Sequence, residues 1–139
     1  MFAKILNAND GSEAGFRAFS MALALAKQNG AELHMVCVEE IPYMPEFVQE
    51  VEEQDEKTAQ RIKALINHAQ AMVDAEQVKL RTHVLKGHPV RAIVRLAEEL
   101  KADLLVIGAV GHSALYERLI GSRADRLVQL AKCPVLVVK

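Results

Sequence analysis

The feature that most constrains this chain is its rhythm. Five short apolar stretches suited to strands are separated by four stretches of helical periodicity, and no strand is followed directly by another. When every strand-to-strand connection is helical, the strands run parallel and the helices cover both faces of one sheet through right-handed crossovers. Ligands on such sheets sit beyond the carboxyl ends of the strands, where the direction of winding reverses. Two strand ends carry unusual loops: Asn9-Asp10-Gly11 after the first strand, and the stretch from Gly108 onward after the fourth. Placing those loops side by side makes strands 1 and 4 neighbours. The expected order is therefore 3-2-1-4-5, in an α/β, doubly wound, five-stranded parallel sheet.

Individual elements follow from local signals. Lys4 to Ala8 forms the first strand, and Ser12 is the N-cap of a helix whose apolar face is Phe16, Phe19, Leu23 and Ala26. Gly30 closes that helix, and Leu33 to Val38 is the second strand. Asn7 is anomalous: a central strand wants an apolar side chain there, and a buried amide needs partners. Residues 39–56 accumulate Glu39, Glu40, Glu46, Glu50, Glu52, Glu53, Asp55 and Glu56 with no basic residue, and Pro42 and Pro45 interrupt any helix. This segment reads as a solvated loop running into a long helix, with an acidic lid or partner-binding segment as the alternative. Ala59, Ile62, Leu65, Ile66, Ala69, Met72 and Val73 give the long helix its buried face. Val78, Leu80, Thr82 and Val84 then alternate with Lys79, Arg81 and His83, the pattern of a half-exposed edge strand. Pro89 opens a third helix, buried through Val90, Ile93, Val94, Ala97 and Leu100. A strand buried on both faces, Asp103 to Ile107, leads into the glycine loop. A fourth helix starts near Ser122, with Ala124, Leu127, Val128 and Ala131 inward, and Pro134 to Val138 is the last strand.

The loop from Gly108 to Ser122 delivers a buried strand onto a helix N-terminus. Free backbone N–H groups and the positive end of a helix dipole suit a bound phosphate there. Glycines let the backbone approach phosphate oxygens without a Cβ in the way. Ser122 has a competing use. With Asp125 three residues on it has the spacing of a capping box, so its hydroxyl serves either the helix or an anion. Asp10 likewise reads either as a turn residue or as a ligand contact.

Composition narrows the classes of partner. The 139 residues carry a net charge of −1, which gives no electrostatic case for nucleic acid or an anionic membrane. No apolar run approaches the ~20 residues of a transmembrane helix, and the N-terminal stretch has no signal-peptide layout. Cys37 and Cys133 lie far apart without a CxxC partner, which fits a reducing cytosol better than a disulfide framework. His34, His68, His83 and His88 lack metal-ligand spacing, and Cys37 reads as a small core residue. The expectation is one cytoplasmic domain spanning residues 1–139.

The spacing Gly108-x-x-Gly111-x(9)-Gly121-Ser122 resembles the G-2x-G-9x-G-S/T signature of the ATP-binding branch of universal stress proteins. The opening Ile5 to Glu13, the Gly87-His88-Pro89 turn with Ala97 to Asp103, and the closing Cys133 to Val138 resemble the same family. The resemblance spans the chain and is weakest over 39–56. It implies a Rossmann-like nucleotide fold with ATP, and Mg²⁺ on its phosphates, across the ends of strands 1 and 4. On that analogy Ala8, Asn9 and Asp10 line the adenosine side, with Asp10 near the ribose or a phosphate-bound metal. Val38 packs on the adenine, Ile107 and Gly108 border the nucleoside, and Gly111, His112, Gly121, Ser122 and Arg123 face the phosphates. Val110, Ala114 and Arg123 depart from the residues usual in the family. Arg123 either clamps phosphate or points to solvent, and His112 either faces phosphate or solvent.

No Walker A lysine follows the glycines and no base is placed to activate water, so the implied activity is at most slow ATP hydrolysis. The leading expectation is a dimeric, ATP-binding stress-response or regulatory module with an unidentified protein partner. A nucleotide-free interaction module of the same fold is the alternative. The last strand, apolar on both faces and with no later segment to cover it, is the expected homodimer edge.

Overall fold

The computed structural model describes residues 1–40, 48–110 and 120–139, without the side chains of 48–55. Its elements run β1 (Lys4–Ala8), α1 (Glu13–Asn29), β2 (Glu32–Glu39), α2 (Val48–Glu76), β3 (Leu80–Lys86), α3 (Pro89–Leu100), β4 (Leu104–Gly108), α4 (Ser122–Leu130) and β5 (Val135–Val138). The five strands form one parallel sheet in the order β3-β2-β1-β4-β5. This is the expected doubly wound arrangement, and it sets the ends of β1 and β4 side by side.

Strand parity divides the core into two layers. Ile5, Leu33, Met35, Cys37, Leu104 and Val106 face α1 and α2, where they meet Phe19, Leu65, Ala69 and Val73. Leu6, Val36, Leu105 and Ile107 face α3 and α4, against Val90, Ile93, Leu96, Ala124 and Leu127. Phe19 is entirely buried. Side chains of that size contribute about 1.5–3 kcal/mol each when withdrawn from water. The caps fall where local chemistry puts them. Ser12 Oγ accepts from Gly15 N at 3.0 Å to start α1, and Gly30 ends it in the left-handed conformation at φ 62°.

Several local expectations are corrected. α2 begins at Val48, so the acidic stretch is helical from there rather than a loop up to 56. Glutamates are good helix formers, and Pro45 stops short of that start. The earlier part of the segment, 41–47, lies outside the described residues. Ala59 and Val128, assigned to buried faces, are exposed. On β3, Val84 is exposed while His83 is half-buried. An edge strand is covered on either face only where a helix crosses it, so alternation alone misassigns the inward side.

Asn7 is buried, and its Nδ2 donates to Val106 O at 3.0 Å. Its Oδ1 is buried without a hydrogen-bond partner. His34 and His83 also meet inside, with His34 Nδ1 3.0 Å from His83 Nε2 and the two rings stacked.

Candidate functional site

The loop after β1 is built by its own side chains. Asn9 N donates to Val36 O at 3.0 Å, which ties the end of β1 to β2. Asn9 Oδ1 accepts from Gly11 N at 2.9 Å, and Gly11 takes φ 84°, a conformation costly for residues with a Cβ. Asp10 Oδ1 accepts from Ser12 N at 3.0 Å and from Ser12 Oγ at 2.5 Å. These acceptors converge over the first turn of α1. A Cβ on Gly15 would lie 2.5 Å from Asn9 Oδ1 and 2.9 Å from Asp10 Oδ1. Gly15 is therefore the residue that lets the turn close onto the helix. Its sequence signal is a glycine inside the first turn of a helix.

The second loop is held at both described ends. Ala109 N donates to Val138 O at 2.9 Å, and Gly121 N donates to Ala109 O at 2.7 Å. The start of α4 is thereby pinned to the end of β4. Gly121 is the N-cap, in extended conformation, and Ser122 is the first helical residue. That offset corrects the capping-box expectation: Ser122 lies one position too late to cap, and the cap position carries no side chain. Asp125 Oδ2 instead accepts from Gln129 Nε2 at 3.1 Å. The first N–H groups of α4 lack intrahelical acceptors by geometry and lie at the cleft.

Between the two loops lies a cavity of about 520 Å³. That is within the range of roughly 300–1,000 Å³ typical of small-molecule sites. Ala8, Asn9, Asp10, Val38, Ile107, Gly108, Gly121, Ser122 and Arg123 all line it. Gly111 and His112 lie outside the described residues. Its lining combines apolar side chains, among them Val36, Val38, Ile93 and Ile107, with the Gly121–Ser122 turn and Arg123. Cys37 also lines the wall, and burial pushes its thiol up to about 11, so it is an uncharged packing group.

Sequence reasoning missed the contribution of α2 and of the end of β2. Thr58, Arg61 and Leu65 reach the cleft from α2, and Glu40 reaches it from beyond β2. Glu40 forms an ion pair with Arg123 across the mouth. The charged side chains lining the described cleft are Asp10, Glu40, Arg61 and Arg123, two of each sign. No group of three or more His, Cys, Asp or Glu able to hold a metal exists among the described residues.

Comparison with known proteins agrees with this fold. The model of the universal stress protein family matches residues 1–139. A universal stress protein of Methanocaldococcus jannaschii is 33% identical over 148 aligned positions, covering 100% of this chain and 83% of that protein. Among solved structures, the universal stress protein UspA of Lactobacillus plantarum superposes with a TM-score of 0.90 at 26% identity, covering 99% of this chain and 97% of that one. A universal stress protein crystallised in complex with cAMP superposes at 0.77 with 29% identity, covering 99% and 97% respectively.

Proposed function

The chain belongs to the universal stress protein family, and from that premise we propose that its cleft binds an adenine nucleotide, ATP with Mg²⁺ in the first instance. The observation that carries this reading is the mixed lining of the cleft. Apolar Val38 and Ile107 suit a base, and Gly121, the N-terminus of α4 and Arg123 suit phosphates. The cAMP complex of a similar protein supports an adenine nucleotide as the class of ligand. Asp10 suits a metal-bound phosphate: Mg²⁺ commonly takes one or two carboxylates and completes its shell with phosphate oxygens and water. When bound, Mg²⁺ supplies charge neutralisation at the phosphates. Gly111 and His112 belong to the same proposal as phosphate-side residues.

The protein acts by binding rather than turnover, at most as a slow ATPase, in a dimeric stress-response or regulatory module that engages a further protein partner. Cytoplasmic residence suits the unpaired thiols of Cys37 and Cys133, and no described helix is long and apolar enough to cross a membrane. The test is equilibrium titration with a fluorescent ATP analogue, with and without Mg²⁺. Saturable binding, competed by ATP, is expected. At ~100-fold excess over Kd the ligand stabilises the fold by about 2.7 kcal/mol, visible as a raised Tm. Absence of binding at millimolar nucleotide would refute the reading.

A further inference from the structure

We propose that Glu40 is a specificity-determining residue of the cleft, which grades bound nucleotides by phosphate charge through its hold on Arg123. The inference rests on the adenine-nucleotide reading above and goes beyond it. Glu40 leaves the end of β2, Arg123 stands in the first turn of α4, and their side chains pair across the mouth of the cavity that both line. Among the described residues Arg123 is the cation beside the Gly121–Ser122 turn, where an anion would meet the N-terminus of α4. In the free protein its guanidinium is already committed to a carboxylate. The neighbouring Glu39 has a different partner, Lys86 Nζ at 3.7 Å, so the two glutamates are not interchangeable.

A phosphate arriving at α4 therefore competes with Glu40 for Arg123 and also feels the Glu40 charge directly. Both penalties grow with the charge on the ligand. Adenosine meets neither, AMP meets a little, and ATP meets the most. The pair is half-exposed, 54% for Arg123 and 58% for Glu40, so its hold is that of a surface ion pair, a factor of roughly two to five in affinity. Arg61 and Asp10 complete a cleft whose described charges balance. Removing the Glu40 charge leaves an excess of one positive.

The experiment is calorimetric titration of wild type, Glu40→Gln, Arg123→Met and the double variant with adenosine, AMP and ATP, in EDTA at low ionic strength. Glu40→Gln is expected to tighten ATP about five-fold and AMP about two-fold while leaving adenosine unchanged. In the Arg123→Met background the same substitution is expected to gain two-fold or less for ATP. Added salt at ~0.5 M should erase most of the difference, since the Debye length then falls to a few ångströms. An ATP-to-adenosine affinity ratio unchanged by Glu40→Gln overturns the proposal while leaving nucleotide binding intact. An undiminished gain without Arg123 overturns it as well. Failure of every variant to bind ATP, both in EDTA and with Mg²⁺ restored, overturns both this proposal and the reading on which it rests.

Discussion

A Cβ built on Gly108 would stand 2.9 Å from the backbone carbonyl of Ala14 in α1. One built on Gly121 would come no nearer than 3.4 Å to any described atom, and Gly121 has an ordinary φ of −62°. The two glycines thus have different causes. Gly108 lets a helix pack closely on the sheet, whereas nothing in the described packing demands glycine at 121. Gly108→Ala is expected to destabilise the fold by about 1–3 kcal/mol through overpacking, measured by urea denaturation. Gly121→Ala should still fold, at a cost of no more than about 1 kcal/mol because alanine is a poorer N-cap than glycine. It should nevertheless weaken ATP by about tenfold, ~1.4 kcal/mol, because its Cβ would occupy the approach to the α4 N-terminus. Equal ATP affinity in Gly121→Ala would reduce this position to a turn. Asn7 poses the opposite case, a polar side chain where the sheet wants an apolar one. Its Nδ2 is satisfied and its Oδ1 is not, so Asn7→Leu should raise stability by about 1 kcal/mol in the same denaturation assay.

At the scale of elements, legibility followed how local the cause was. The start and end of α1 were readable because Ser12 and Gly30 act on their own neighbours. The strand order was readable because right-handed helical crossovers leave few ways to bring two odd loops together. The cap of α4 was misplaced by one residue, since Gly121 reaches it through a bond to Ala109, on the far side of the loop. Glu40 and Arg61 were not legible as cleft residues because an exposed charge beside an apolar face reads as solvated until the tertiary fold brings α2 and the end of β2 to the cleft. The histidine contact is of the same kind, made by β2 and β3 across one sheet face, and it has a measurable consequence. A hydrogen bond between His34 Nδ1 and His83 Nε2 needs one of those nitrogens bare. Burial, then the neighbouring His34, then Arg81 hold the pKa of His83 below its usual 6.5. Below that value the unfolded chain takes up a proton that the folded His83 resists. Stability from this site is therefore present above pH ~6.5 and lost as pH falls towards the folded pKa. Glu32, whose pKa is lowered chiefly by its hydrogen bond to His34, adds its own loss only at more acid pH. Denaturation midpoints of His83→Gln should accordingly fall less between pH 7 and pH 5.5 than those of wild type. Parallel curves would assign the acid sensitivity elsewhere.

Among the described residues the sheet has two unpaired edges, β3 and β5, and β5 is the one made wholly of apolar residues. β5 pairs with β4 on one side, and no described strand lies on its other. Leu105 N donates to Pro134 O and Ala109 N to Val138 O. The polar backbone groups of a strand residue share one side, so Pro134, Leu136 and Val138 direct theirs towards β4. Val135 and Val137 then present theirs to the open edge. All four residues of the strand, Val135 to Val138, remain only partly buried. An apolar strand with unpaired N–H and C=O groups is a template for another strand, and a second copy of the same strand fits it about a twofold axis. We propose that two chains associate there. Sedimentation equilibrium at micromolar concentration should return twice the 15.3 kDa chain mass. Val137→Pro is the discriminating variant. It removes an N–H from the open edge without taking a bond from the β4 ladder, so it should yield a folded monomer. A wild-type monomer would end the proposal, and a Val137→Pro dimer would move the interface to another surface.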